Sequence, residues 1–145
     1  MDFKRVALAA VVAWVVDTIY AMVVWMGMLG GEMARFPMVF RSEADMNAQL
    51  PLMIAGGLVG LFALTYVYAK GYEGGSGIAE GLRFGLTLAV FMTGFVSIAI
   101  YGTFNIDGRL GMMASVASFV ELLVVGTVIG LTYKPAVRPA AAARV

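Results

Sequence analysis

The sequence predicts an all-α, polytopic membrane protein that crosses the bilayer four times as an antiparallel bundle of transmembrane helices. Three observations carry that prediction. Hydrophobic residues make up 61% of the 145 positions and charged residues only 13%, with a mean hydropathy of +0.90. A soluble domain carries about 25% charged residues to cover its surface, so lipid is the natural solvent for most of this one. The second observation is a set of four apolar blocks, at residues 6–29, 50–69, 82–103 and 111–133. Each reaches the ~20 residues that a helix needs to cross ~30 Å of hydrocarbon. Third, charged and turn-forming residues collect between the blocks rather than within them.

Span one follows Met1-Asp2-Phe3-Lys4-Arg5 and carries a single charge, Asp17. A signal peptide has a similar basic start, but its apolar core is about 7–15 residues long and ends at a small-x-small site. This block ends in Trp25-Met26-Gly27-Met28 and reads as a membrane helix. Span two has Pro51 near its start, where a missing N–H costs little. Span four is interrupted only by Glu121 and is followed by Pro135. Its run Val124-Val125-Gly126-Thr127-Val128-Ile129 has strand character. In lipid, though, a helix satisfies its own backbone, whereas an open sheet edge cannot.

The connections differ in character. Residues 30–49 form a long first link, whose Phe36, Met38, Val39 and Phe40 suggest a segment lying along the interface. The third link, Asn105-Ile106-Asp107-Gly108-Arg109, is a tight turn centred on Asp-Gly. Residues 1–135 form the transmembrane domain, and the Ala- and Pro-rich residues 136–145 an extended tail.

Basic residues set the orientation. Lys4, Arg5, Lys70, Arg83, Lys134, Arg138 and Arg144 lie on the side of the termini, against Arg35, Arg41 and Arg109 on the other. Both termini and the loop between spans two and three therefore belong in the cytoplasm, with the protein multi-pass in a cytoplasmic (inner) membrane.

Several function classes fall away. Cysteine and histidine are absent, which excludes disulfides, thiolate nucleophiles, Cys/His zinc sites and haem held by either residue. A net charge of +1 with scattered basic residues gives no nucleic-acid surface. The eleven methionines read as flexible packing residues rather than as a Cu(I) site. No metal or other cofactor is expected.

Gly56/Gly60, Gly81/Gly85 and Gly126/Gly130 each repeat at an interval of four, which suits close helix packing in lipid, within the chain or between subunits. The cytoplasmic loop around Tyr72, Glu73 and Gly74-Gly75-Ser76-Gly77 lacks the Walker spacing and reads as a flexible turn. Glu80 and Arg83, three apart, are placed to pair on one helix face.

The four spans, the Tyr-Glu-Gly-Gly segment running into Ala79-Glu80-Gly81-Leu82-Arg83-Phe84-Gly85, and the last helix ending Gly130-Leu131-Thr132-Tyr133-Lys134-Pro135 resemble small uncharacterised bacterial four-helix inner-membrane proteins over residues 5–135. The resemblance implies an inner-membrane location and brings no activity or catalytic residues with it.

The candidate site is a polar one near the bilayer midplane. Asp17 is central in span one and Glu121 in span four, so oppositely directed helices bring them to one depth. An ionised acid at that depth costs about 2.5–3.5 kcal/mol on insertion scales, which turns both away from lipid. No span carries a central Lys or Arg. The acids must share a proton, stay neutral and hydrogen-bonded, or meet a cation or a partner's basic group. Trp14 and Tyr20 are placed beside Asp17, and Ser118 beside Glu121, on the same faces.

The leading expectation is a non-enzymatic membrane protein, an accessory or scaffold subunit of a membrane complex, with lipids and a membrane-protein partner or a second copy as its contacts. One alternative is a small oligomeric permeation protein coupled to protons or cations through Asp17 and Glu121. Another is a binder of lipid or an apolar ligand between helices near Trp14 and Tyr101. A membrane enzyme using two acids lacks a nucleophile or metal-ligand set to support it. Orientation is open to direct measurement in this cysteine-free chain. In intact cells, an impermeant thiol reagent is expected to modify a cysteine at Ser42 and to spare one at Ser76, and the reverse pattern overturns the topology.

Overall fold

Side chains that accept hydrogen bonds start three of the four long helices. In the computed structural model, which describes residues 2–133, Asp2 accepts from the Lys4 and Arg5 amides and opens α1 (Phe3–Tyr20). Ser42 caps α3 (Glu43–Lys70) through the Asp45 amide at 3.2 Å, and Asp107 caps α6 (Gly108–Thr132) through the Leu110 amide at 2.8 Å. Such caps satisfy N–H groups that a helix start leaves orphaned. The short α2 (Gly30–Met33) lies in the first connection, and α4 (Gly77–Met92) and α5 (Ile98–Thr103) form the third span. No strand occurs among the described residues.

Four helical stretches are long and apolar enough to cross a membrane: Phe3–Met28, Glu43–Lys70, Gly77–Thr103 and Gly108–Thr132. The protein is an all-α, multi-pass membrane protein. Leu52, Val59, Val90, Phe95, Ile98 and Met112 point outward, as side chains solvated by lipid do. The tail at residues 136–145 lies outside the described residues.

The second span begins earlier than the hydropathy suggests. Pro51 lies inside α3 rather than in its first turn, which leaves the Asn47 carbonyl without its usual donor. Asn47 is exposed, and at 28 residues α3 is about 42 Å long. It outreaches ~30 Å of hydrocarbon, so its first turns emerge where water and headgroups supply donors. The first connection is correspondingly shorter than expected.

Packing places the spans side by side in the order α3, α1, α6, α4, and the α4–α6 contact is the most extensive. Glycine makes it so. A Cβ at Gly126 would lie 2.5 Å from the Gly85 Cα, and one at Gly130 would lie 2.7 Å from the Gly81 Cα. Backbone thus meets backbone, with Gly77 joining the same seam against Gly130. On the other flank, Ala9, Ala10 and Ala13 of α1 are fully buried and let α1 sit close to its neighbours.

Gly56 and Gly60 do not share this role. A Cβ at either would meet nothing within 4 Å. The packed face of α3 is the adjacent one, through Gly57, Leu61, Thr65 and Tyr68, with Trp14 lying 3.7 Å from where a Gly57 Cβ would be. A step of one residue turns a helix by about 100°, so a neighbouring glycine can be wholly open.

The end that carries the N-terminus, called proximal below, is fastened by aromatic rings. Tyr68 packs edge-on against Phe84 and Tyr133, with centroids 5.2 and 5.9 Å away, and Tyr72 meets Tyr133 at 5.5 Å. At the distal end, ion pairs fasten the connections. Glu32 of α2 bonds Arg35 at 2.5 Å and Arg109 at 3.0 Å, and Arg35 reaches Asp107 at 3.2 Å.

The two kinds of glycine give a matched test. G126A is expected to lower the unfolding free energy in detergent by about 1–3 kcal/mol, as overpacking does. G56A is expected to leave it unchanged or slightly higher. Equal effects at both positions contradict the α4–α6 seam.

Candidate functional site

Asp17 and Glu121 meet. Their side chains face each other across the α1–α6 interface, each near the middle of its span. A hydrogen bond between two carboxyl groups takes one proton between them. Tyr20 supports the pair from the same interface, its phenol donating to the Ala117 carbonyl at 2.7 Å.

Trp14 does not belong to this group. Its indole N–H donates to the Ile54 carbonyl of α3 at 3.1 Å. Trp14 and Tyr20 each stand three residues from Asp17, on opposite sides of it, so they diverge by about 120° around the helix. Because α1 lies between α3 and α6, one ring reaches each neighbour.

The residue that takes the expected place of Trp14 is Trp25, whose indole N–H donates to Glu121 Oε2 at 3.1 Å. An ideal α-helix would turn Trp25 about 80° away from Asp17. Here the helix widens into a π-helical segment, Ala21–Met28, in which the Leu29 amide bonds the Val24 carbonyl five residues back. The wider turn swings Trp25 back over the pair. Regular helical spacing gives no sign of this.

Trp25 also lines a cavity of about 270 Å³ in the distal half of the bundle. Its walls include Phe40, Tyr101, Phe104, Ala114 and Ser118. Val96 and Ser97, from a second π-helical segment at Thr93–Ser97, complete one side. Ser118, one turn before Glu121, thus faces the cavity rather than the carboxyl pair. Single π-helical turns concentrate at functional sites, because they re-aim side chains out of helical register, and here both border one cavity. The first connection roofs it with Met33, Val39 and Phe40, while Met38 points outward, 97% exposed.

The proximal loop uses its charges differently from the expected helix-face pair. Glu80 is buried, accepting from the Gly75 amide and from the Tyr68 phenol at 3.5 Å. Arg83 instead pairs with Glu73 at 3.2 Å. Gly74, at φ +86°, makes the turn that brings Gly75 to Glu80. Tyr72 belongs to the aromatic cluster. A shallower, more polar groove of about 390 Å³ lies beside this loop, bordered by Tyr68, Glu73, Glu80 and Arg83, and the more enclosed, more apolar distal cavity is the candidate site. Among the described residues there is no group of three or more His, Cys, Asp or Glu residues that could hold a metal ion.

Comparison of the chain with protein-family models, with curated proteins and with solved structures returns no match.

Proposed function

We propose that this membrane protein is a non-enzymatic binder of an apolar or lipid-like molecule, held between its helices in the distal cavity. The cavity itself carries the reading. Its wall is built largely from aliphatic and aromatic side chains of Trp25, Phe40, Val96, Ile100, Tyr101 and Phe104, in a part of the bundle that lipid surrounds. Ligand sites are concave, mostly apolar and equipped with a few convergent polar groups. Ser97, Ser115 and Ser118 place their hydroxyl-bearing side chains in the same wall.

The seven-to-three bias of basic residues supports a cytoplasmic membrane with both termini inside. In that orientation the cavity lies in the outer half of the bilayer, under the connection clasped by Glu32, Arg35, Asp107 and Arg109.

A second observation supports a role as an accessory or scaffold subunit. The α3 face bearing Gly56 and Gly60 is open, and small residues four apart suit a helix of a partner or of a second copy. The two readings are compatible, since the open face and the cavity lie on different elements.

Octan-1-ol serves as a probe of the cavity for the chain in lipid nanodiscs, with protein-free discs subtracting partition into lipid. Wild type is expected to bind it saturably. A114F, which puts a ring into the cavity from its α6 wall, is expected to weaken binding at least about tenfold, or ~1.4 kcal/mol. Equal binding by both removes the cavity as the site.

A further inference from the structure

We propose that the cavity takes an amphipathic cation, whose apolar body lies against the distal walls and whose ammonium group reaches the Asp17–Glu121 pair past Trp25. This rests on the cavity-binding reading and adds the ligand's charge to it.

Charge complementarity fixes the sign. Two carboxyl groups meet in the membrane-spanning interior, and no Lys or Arg lies in the central part of any span. The ion pairs of the described residues are all at the two ends of the bundle, from Arg5–Asp2 and Arg83–Glu73 proximally to the Glu32 and Arg35 network distally. When the pair carries a negative charge, nothing positive within the chain's central part offsets it. A cation from outside does, and a carboxylate bound to one is far less costly in a medium of low dielectric than a bare one.

Geometry supplies the route. The Trp25 indole is at once part of the cavity wall and the donor to Glu121, so one side chain touches both the cavity and the carboxylate. Rotation of that ring breaks one 3.1 Å hydrogen bond and turns Glu121 open toward the cavity. Trp25 sits in a π-helical turn, with Gly27 two residues on. The Trp25 and Tyr101 rings in the cavity wall offer π faces that attract a quaternary or protonated amine. Above the roof, Arg35 and Arg109 are balanced by Glu32 and Asp107, so the distal end does not repel a monocation.

Binding is then an exchange on the doubly protonated pair: the cation enters, one proton leaves to water, and the other stays shared between the carboxyls, so one negative charge meets one positive. The titratable groups that face the pair are its own two carboxyls and Tyr20. Tyr20 donates its proton to the Ala117 carbonyl and does not supply a cation.

Octyltrimethylammonium and octan-1-ol, which share one chain and differ in charge, are compared in nanodiscs by fluorescence of Trp25 in a W14F background, where it is the single tryptophan. The cation is expected to bind at least about tenfold tighter than the alcohol. E121Q and D17N are each expected to bring the cation down to the alcohol's affinity while leaving octan-1-ol binding unchanged, which also reports that the variants are folded. In unmodified protein, cation affinity is expected to fall as pH is lowered through the titration of the pair, and alcohol affinity to stay flat. Equal affinity for the two probes, or cation binding insensitive to both substitutions and to pH, overturns the cation proposal and leaves the apolar cavity standing. Binding of neither probe overturns the cavity reading as well.

Discussion

Helices in lipid gain little by hiding apolar side chains from one another, because the acyl chains outside are as apolar as the protein within. Association must come from close contact, from hydrogen bonds across the interface, or from both. The α4–α6 seam is the answer this chain gives to that constraint. Gly77, Gly81 and Gly85 meet Gly126 and Gly130 with no room for a methyl group between them. This brings dispersion contacts along two backbones and fixes α6 as the post against which α1 is set.

On its other side, α6 offers α1 a different kind of contact. Tyr20 and Trp25 of the first span donate to Ala117 and Glu121 of the last, and Asp17 meets Glu121 between them. Such interhelical hydrogen bonds are worth about 0.6 kcal/mol each on average in a membrane, so these two, with the facing acids between them, register the two helices without making them rigid. The polar contacts cluster at mid-span, while aromatic rings close the proximal end and ion pairs close the distal one. Between mid-span and the distal clasp lies the cavity. Its position follows from the layout: α1 and α6 are held at their middles, and the two π-helical turns widen the helices just beyond that hold.

Much of the fold was legible in the sequence, because length and hydropathy alone define a membrane span. Asp17 and Glu121 were legible for a related reason, since an acid deep in an apolar block is too costly to leave facing lipid. What sequence could not supply was the local winding. Trp25 stands eight residues from Asp17, off its face in an α-helix and on it after a π turn. Trp14 lies on the near side of the same helix yet serves α3 instead. The glycine spacing was equally ambiguous. Gly56/Gly60 and Gly126/Gly130 read alike, but one pair lies open and the other is sealed, because only three-dimensional order tells which neighbour a face receives. The early start of α3 was hidden by Pro51, which reads as a beginning and turns out to be interior. Glu80 and Arg83 show the limit of helix-face pairing: a tight turn at Gly74 offered Glu80 a backbone amide, and Arg83 turned to Glu73.

Whether Asp17 and Glu121 act as one unit across the α1–α6 interface is decided by a double-mutant cycle. Unfolding free energies of the wild type, D17A, E121A and the double variant, taken in one detergent at neutral pH, isolate the interaction from the separate cost of each truncation. The expected coupling is about 0.5–3 kcal/mol, as for residues in direct contact. Effects that add to within about 0.3–0.5 kcal/mol, as for independent sites, would contradict the shared site.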